Sequence, residues 1–313
     1  MKISGPVSLS ILRHDDKYII LWGDKHGDKR SYCKCKGNSK NCKFISTFIR
    51  EIKDHYDLFI ESPWYSQEEK RQLIGKQFVD VNAMRGMANT FFQDMYFHRT
   101  HSKAASKRVH FTDIRTEKTI RPLTDVVNAI MNIVYGATDT QGNLSWIETL
   151  QKYNTTHKLK RFVNNIIHDK KHKIFKQLSK LPRNEQGLVR KFHNDMCKMH
   201  ISTTRAYDNS HYRLFHGEQK DYTDDMLNVL NHLLIWLSHL KDIYTICRML
   251  FYLQKTRIVM SYDGDYHSKV YEFFFTKYLP RTEKVYEHKN SGTRCVAFSL
   301  HHLYDIFPQT QFQ

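Results

Sequence analysis

Hydrophobic and polar positions alternate or cluster along the chain in a way that predicts strands at both ends and helices between them. The runs "VSLSILRH" (7–14) and "KYIILWGD" (17–24) are rich in β-forming residues and are separated only by Asp15 and Asp16, which predicts two strands joined by a tight turn. Phe44, Ile45, Phe48, Ile49 and Ile52 then recur at helical spacing, with Asn41 as the expected N-cap. "YDLFIESPW" (56–64) is a short continuous apolar run stopped at Pro63 and reads as a strand. Strand, helix and strand in such close succession predict a βαβ unit with adjacent parallel strands and a right-handed crossover.

Ser66 and Glu69 form a capping box that opens a helical region to about Tyr96, and Arg108–Thr116 is a further strand. From Pro122 to about Tyr252 the apolar period is helical, with breaks around Gly136–Asn143, Leu181–Gln186 and Asp208–Thr223. The most apolar part of this stretch, from Met226, reads as a long buried helix. Strand character returns in "RIVMSYDGDYH" (257–267), "EKVYEHK" (283–289) and "RCVAFSL" (294–300). The expected fold is therefore α/β, with a mainly parallel sheet formed by the two chain ends and a long, basic, all-helical insertion. The boundaries expected are 1–121, 122–254 and 255–313.

Composition changes this picture in three ways. At 40% hydrophobic, 313 residues can bury a sizeable core. No window of about eighteen residues is free of charge, so no transmembrane segment is expected, and the opening residues lack the pattern of a signal peptide. Six cysteines in this length do not resemble a disulfide scaffold; Cys197, Cys247 and Cys295 sit among apolar residues as free buried thiols would, which points to an intracellular, reducing setting. The net charge of +17 is uneven: residues 151–200 hold thirteen Lys/Arg against three Asp/Glu.

The chemistry gathers where strands end. Gly23-Asp24-Lys25-His26 and Gly264-Asp265-Tyr266-His267 repeat one polar ending near the two ends of the chain, Glu61 ends the strand between them, and Asp113 and Arg115 end another. In parallel α/β sheets, ligands bind at the carboxyl ends of strands. Gly23 and Gly264 are expected to turn the backbone through positive φ, and Asp and His two positions apart to face one cavity while the strand persists. His26, Glu61 and His267 make a mixed nitrogen and oxygen ligand set suited to Zn, Mn, Co or Fe. Asp24, Asp113, Asp265 or Glu61 would then serve as general base and Arg115 would face a developing negative charge.

These residues resemble the pattern of the superfamily that includes TraB/Tiki, haem-binding ChaN and the erythromycin esterases: Gly-x-x-His after the first strand, Glu after the next, and a second Gly-x-x-His near the C-terminus. The resemblance implies an α/β fold with a helical insertion and, in several members, a divalent-metal hydrolase or protease acting on a small molecule or peptide. It carries over to His26, Glu61 and His267, with Gly23 and Gly264 as turn glycines. Residues 4–65, 108–116 and 256–275 also resemble proteins of nucleocytoplasmic large DNA viruses, which would place the protein in the host cytoplasm or the virion.

Two further features stand apart. Cys33, Cys35 and Cys42 follow His26 closely and could hold structural zinc, although Cys-x-Cys-x6-Cys is not a standard spacing; free loop thiols or a local disulfide are the alternatives. Between His157 and Arg183, Leu159, Phe162, Val163, Ile166, Ile167, Ile174 and Leu178 mark an apolar face opposite Lys170, Lys171, Lys173 and Lys176. That basic face is either solvated or an electrostatic footprint for nucleic acid or another polyanion, without a base-reading motif.

Overall fold

The computed structural model describes residues 1–25, 33, 42–63, 109–115, 117–135, 145–201, 204–217, 222–290 and 293–310. They fall into two compact units: 1–113 with 249–313, and 114–248. The strands are β1 (Lys2–Ser4), β2 (Ser8–His14), β3 (Lys17–Asp24), β4 (Cys42–Phe44), β5 (Tyr56–Pro63), β6 (Val109–Asp113), β7 (Ile258–Gly264), β8 (Thr282–Lys289) and β9 (Cys295–Ala297). The helices, in chain order, are α1 (Ile45–Glu51), α2 (Arg121–Val134), α3 (Ser145–Lys152), α4 (Thr156–His168), α5 (Lys173–Leu178), α6 (Arg183–Ile201), α7 (Thr204–His216), α8 (Thr223–Leu253), α9 (Asp265–Lys277) and α10 (Leu300–Ile306).

The first unit is mixed α/β, built on a six-stranded sheet in the order β6-β5-β7-β3-β2-β8. Strands β6, β5, β7 and β3 run parallel, and β2 pairs antiparallel with both β3 and β8. The expected hairpin between β2 and β3 is present, and Asp15 takes the positive φ (54°) of its turn. β3 and β5 are parallel but not adjacent, which corrects the simple βαβ expectation: β7 lies between them and pairs with both. Every residue of β7 is buried, as befits a central parallel strand covered on both faces. The edge strand β8 instead alternates in exposure and is rich in Lys and Glu, a pattern that discourages pairing with other chains.

Side-chain alternation along β2 separates the two faces. Leu9 and Ile11 join Trp22, Phe48, Phe298, Leu303 and Phe307 in the core beneath α1 and α10. Ser8 and Ser10 point the other way and bond to Asp265 and Glu272 of α9, which covers that face. A small second sheet, β4-β1-β9, completes the unit.

The second unit is helical. Leu123, Val126, Val127 and Ile130 line one face of α2, and Leu159, Val163, Ile166 and Ile167 one face of α4. Thr155 caps α4 by accepting the Lys158 N–H, and His172 caps α5 by accepting that of Ile174. α7 runs on to His216, beyond the break expected at Asp208, because Tyr207, Ser210 and His211 are buried at helical spacing. α8 is apolar nearly all round and correspondingly buried. Among the described residues, no helix is long and apolar enough to cross a membrane. Asn41, the 66–96 region and the Gly136–Asn143 break lie outside the described residues.

Candidate functional site at the carboxyl ends of the parallel strands

Registers bring the ends of β3, β5 and β7 side by side: Asp24 is level with Gly264, and Ile60, next to Glu61, is level with Tyr262. Glu61 Oε2 accepts the Gly264 N–H at 3.0 Å, and Glu61 Oε1 stands 3.4 Å from His267 Nε2. Both side chains are buried. Glu61 and His267 therefore converge as the strand-end reading requires, while His26 lies outside the described residues.

The local geometry around them differs from the expectation. β7 ends at Gly264, and Asp265 is already the first residue of α9, so Asp265 and His267 lie on a helical turn where residues two apart diverge. Asp265 accepts from Ser8 Oγ and Lys269 Nζ, each at 2.5 Å, and its charge is favourable at a helix N-terminus. Gly264 has φ −54°, and neither it nor Gly23 has a positive φ, so neither glycine serves the conformational role assigned to it. Gly23 is there for closeness: a Cβ on it would lie 2.2 Å from Ser8 Oγ and 2.7 Å from Asp265 Oδ1.

Asp24 is committed to the scaffold. Its Oδ1 accepts from the Arg294 guanidinium and from the Lys25 N–H at 2.8 Å. Arg294, which sequence reasoning passed over, is fully buried and also donates to the carbonyls of Gly5 and Lys25. Asp263, fully buried at the end of β7, was also missed, since the repeated motif drew attention to the aspartate two places on. Asp113 ends β6 in register with Pro63. Arg115 belongs to the helical unit, where its carbonyl accepts from Thr124 Oγ1.

Cys33 and Cys295 form a disulfide, and Cys42 is disulfide-bonded too. This corrects the reading of Cys295 as a free thiol and withdraws Cys33 and Cys42 from a zinc loop; Cys35 lies outside the described residues. Disulfides persist in oxidising surroundings, so cysteine usage no longer supports the reducing setting. Cys197 and Cys247 are free and buried as expected.

Among the described residues, one group of three side chains could hold a metal ion, and it is not at the strand ends. His193 and Cys197 of α6 and His239 of α8 place their donor atoms within 4.8 Å of one another, all buried. Burial first, and then the positive charges of neighbours, pushes His193 down to about 4; burial holds His239 well below the ordinary histidine value and pushes the Cys197 thiol up to about 11. The sequence signal was His193-x3-Cys197, one helical turn apart. Lys170, Lys171, Lys173 and Lys176 are all exposed, with Lys173 paired to Glu117.

No protein-family model, curated protein or solved structure matches the chain.

Proposed function

We propose that the carboxyl edge of β3, β5 and β7 is a hydrolytic site for an ester, amide or phosphoester, with Glu61, His267 and His26 as ligands of one divalent ion. The observation that carries this reading is the 3.4 Å between Glu61 Oε1 and His267 Nε2. Two ligand atoms about 2.1 Å from a tetrahedral ion stand about 3.4 Å apart. The donor set fits Zn, Mn, Co or Fe, and such an ion polarises a carbonyl or phosphoryl oxygen and acidifies bound water. The chain's own contribution is orientation. The Gly264 N–H holds one oxygen of Glu61 so that the other faces His267, and the Ser8–Asp265–Lys269 bonds fix the first turn of α9, from which His267 projects. The resemblance to the TraB/Tiki and erythromycin esterase superfamily supports the same assignment.

The test is hydrolysis of p-nitrophenyl acetate, a peptide p-nitroanilide and p-nitrophenyl phosphate with each metal, together with melting curves. Glu61→Gln and His267→Gln should each remove metal-dependent turnover and reduce the metal-induced rise in melting temperature. A parent protein with neither response, or variants that respond like the parent, would overturn the assignment. A second reading rests on Lys170, Lys171, Lys173 and Lys176: four exposed lysines beside the buried Ile174 and Leu178 form a face able to hold a polyanion.

A further inference from the structure

The group His193, Cys197 and His239 is separate from the strand-end residues and lies wholly within the helical unit. His193 and Cys197 are four positions apart on α6, so both side chains leave the same helix face. His239 meets them from α8: its Nε2 is 2.9 Å from His193 Nδ1, and Cys197 Sγ is 3.6 Å from the same nitrogen. Zinc bound to imidazole nitrogen at about 2.0–2.1 Å and thiolate sulfur at about 2.3 Å sets that nitrogen and sulfur about 3.6 Å apart. The two nitrogens need to part by only a few tenths of an ångström to admit the ion.

The surroundings also suit an ion. His193 uses its other nitrogen, Nε2, to bond Asn164 Oδ1 at 2.7 Å. An amide oxygen accepts, so Nε2 carries the proton and Nδ1 is left unprotonated facing His239 Nε2; metal-bound histidines characteristically donate from their other nitrogen in this way. Protein groups alone satisfy the cluster poorly. One bond joins the two imidazoles, and the thiol makes only long contacts of 3.6 and 3.7 Å. Buried polar groups are ordinarily bonded, and an ion would engage three of these donors together. Phe192 and Trp236 wall the site, with ring centroids 5.9 and 6.4 Å from that of His239. His200, one turn beyond Cys197 on α6, has its ring 5.7 Å from that of His239.

We propose that His193, Cys197 and His239 bind a zinc-class divalent ion that clamps α6 to α8. Thiolate with two imidazoles is a zinc-type set, whereas calcium and magnesium prefer oxygen. The burial of all three ligands gives the ion a structural role.

The experiment refolds the full chain from chelator-treated material in the presence of Co(II), which reports a bound thiolate through sulfur-to-cobalt charge-transfer absorption. One equivalent should produce that absorption, and Zn(II) should displace it. Cys197→Ser should abolish it, while Cys247→Ser, Glu61→Gln and His267→Gln should keep it, which separates this site from the strand-end proposal. Asn164→Ala should keep the absorption but weaken affinity by about 10–100-fold. Absence of the absorption in the parent, or its persistence in Cys197→Ser, would overturn the proposal. The parent titration alone decides the matter should Cys197→Ser fail to fold.

Discussion

Gly23→Ala tests the tightest contact at the strand ends. The added methyl would lie 2.2 Å from Ser8 Oγ, 2.7 Å from Asp265 Oδ1 and 3.0 Å from Asp265 Cα. The strands cannot simply part, because Ser8 and Gly23 are register partners in the β2–β3 ladder. Either Ser8 turns away and gives up its bond to the Asp265 carboxylate, or α9 shifts outward. Losing a hydrogen bond to a charged group costs about 1.5–3 kcal/mol, and forcing a methyl into packed surroundings about 1–3 kcal/mol. Replacing glycine restricts the unfolded chain and returns about 0.4–1 kcal/mol. Either route leaves an expected net loss of about 0.5–2.5 kcal/mol, measured by urea unfolding. Ser8→Ala removes the clashing oxygen, so the double variant should be less destabilised than the two single losses added, by about 1 kcal/mol or more. Additivity within about 0.5 kcal/mol, or a Gly23→Ala variant no less stable than the parent, would refute the reasoning.

Arg294→Met leaves the buried Asp24 carboxylate without its guanidinium and should cost about 3–5 kcal/mol in urea unfolding, with part recovered in Asp24→Asn/Arg294→Met. Replacing Lys170, Lys171, Lys173 and Lys176 by Gln should barely change stability, and in a polyanion-binding protein should weaken heparin or DNA affinity and flatten its salt dependence. Burial lowers the pKa of both His172 and His211, so below about 6.5 the unfolded chain binds more protons. Their contribution is therefore full above that pH and is lost as pH falls. His172→Asn, which keeps a capping acceptor, combined with His211→Gln should give a flatter stability profile between about pH 6.5 and 5. Reducing Cys33–Cys295, whose ends are 262 residues apart, should lower the melting temperature, with about 5 kcal/mol the chain-entropy expectation.

Much of the sheet was legible because β2, β3, β5, β6 and β7 carry apolar runs that no helix period matches, and the neighbourhood of Glu61 and His267 followed from where those runs end. Strand order was less accessible: nothing local in residues 17–63 shows that a strand from residues 258–264 will separate β3 from β5. Asp265 was misplaced because a strand and a helix N-terminus share the residues Gly-Asp, and only hydrogen bonding decides which forms. Arg294 and Cys295 gave little warning, since their partners Asp24 and Cys33 are more than 260 positions away. His239 stayed hidden in α8, where apolar neighbours outweighed one imidazole.

The central place of β7 also governs the order in which the molecule can be made. As the chain leaves the ribosome, β3 and β5 emerge long before the strand that joins them. Until residues 258–264 arrive, each has a bare apolar edge where β7 will pair, the kind of edge that recruits wrong partners. Folding of the first unit must therefore await synthesis of β7, and its long-range pairings favour slow assembly. A fragment ending before residue 258 would lack the middle of its own sheet, and ribosome-arrested chains of increasing length should gain protease resistance only after β7 and α9 have emerged.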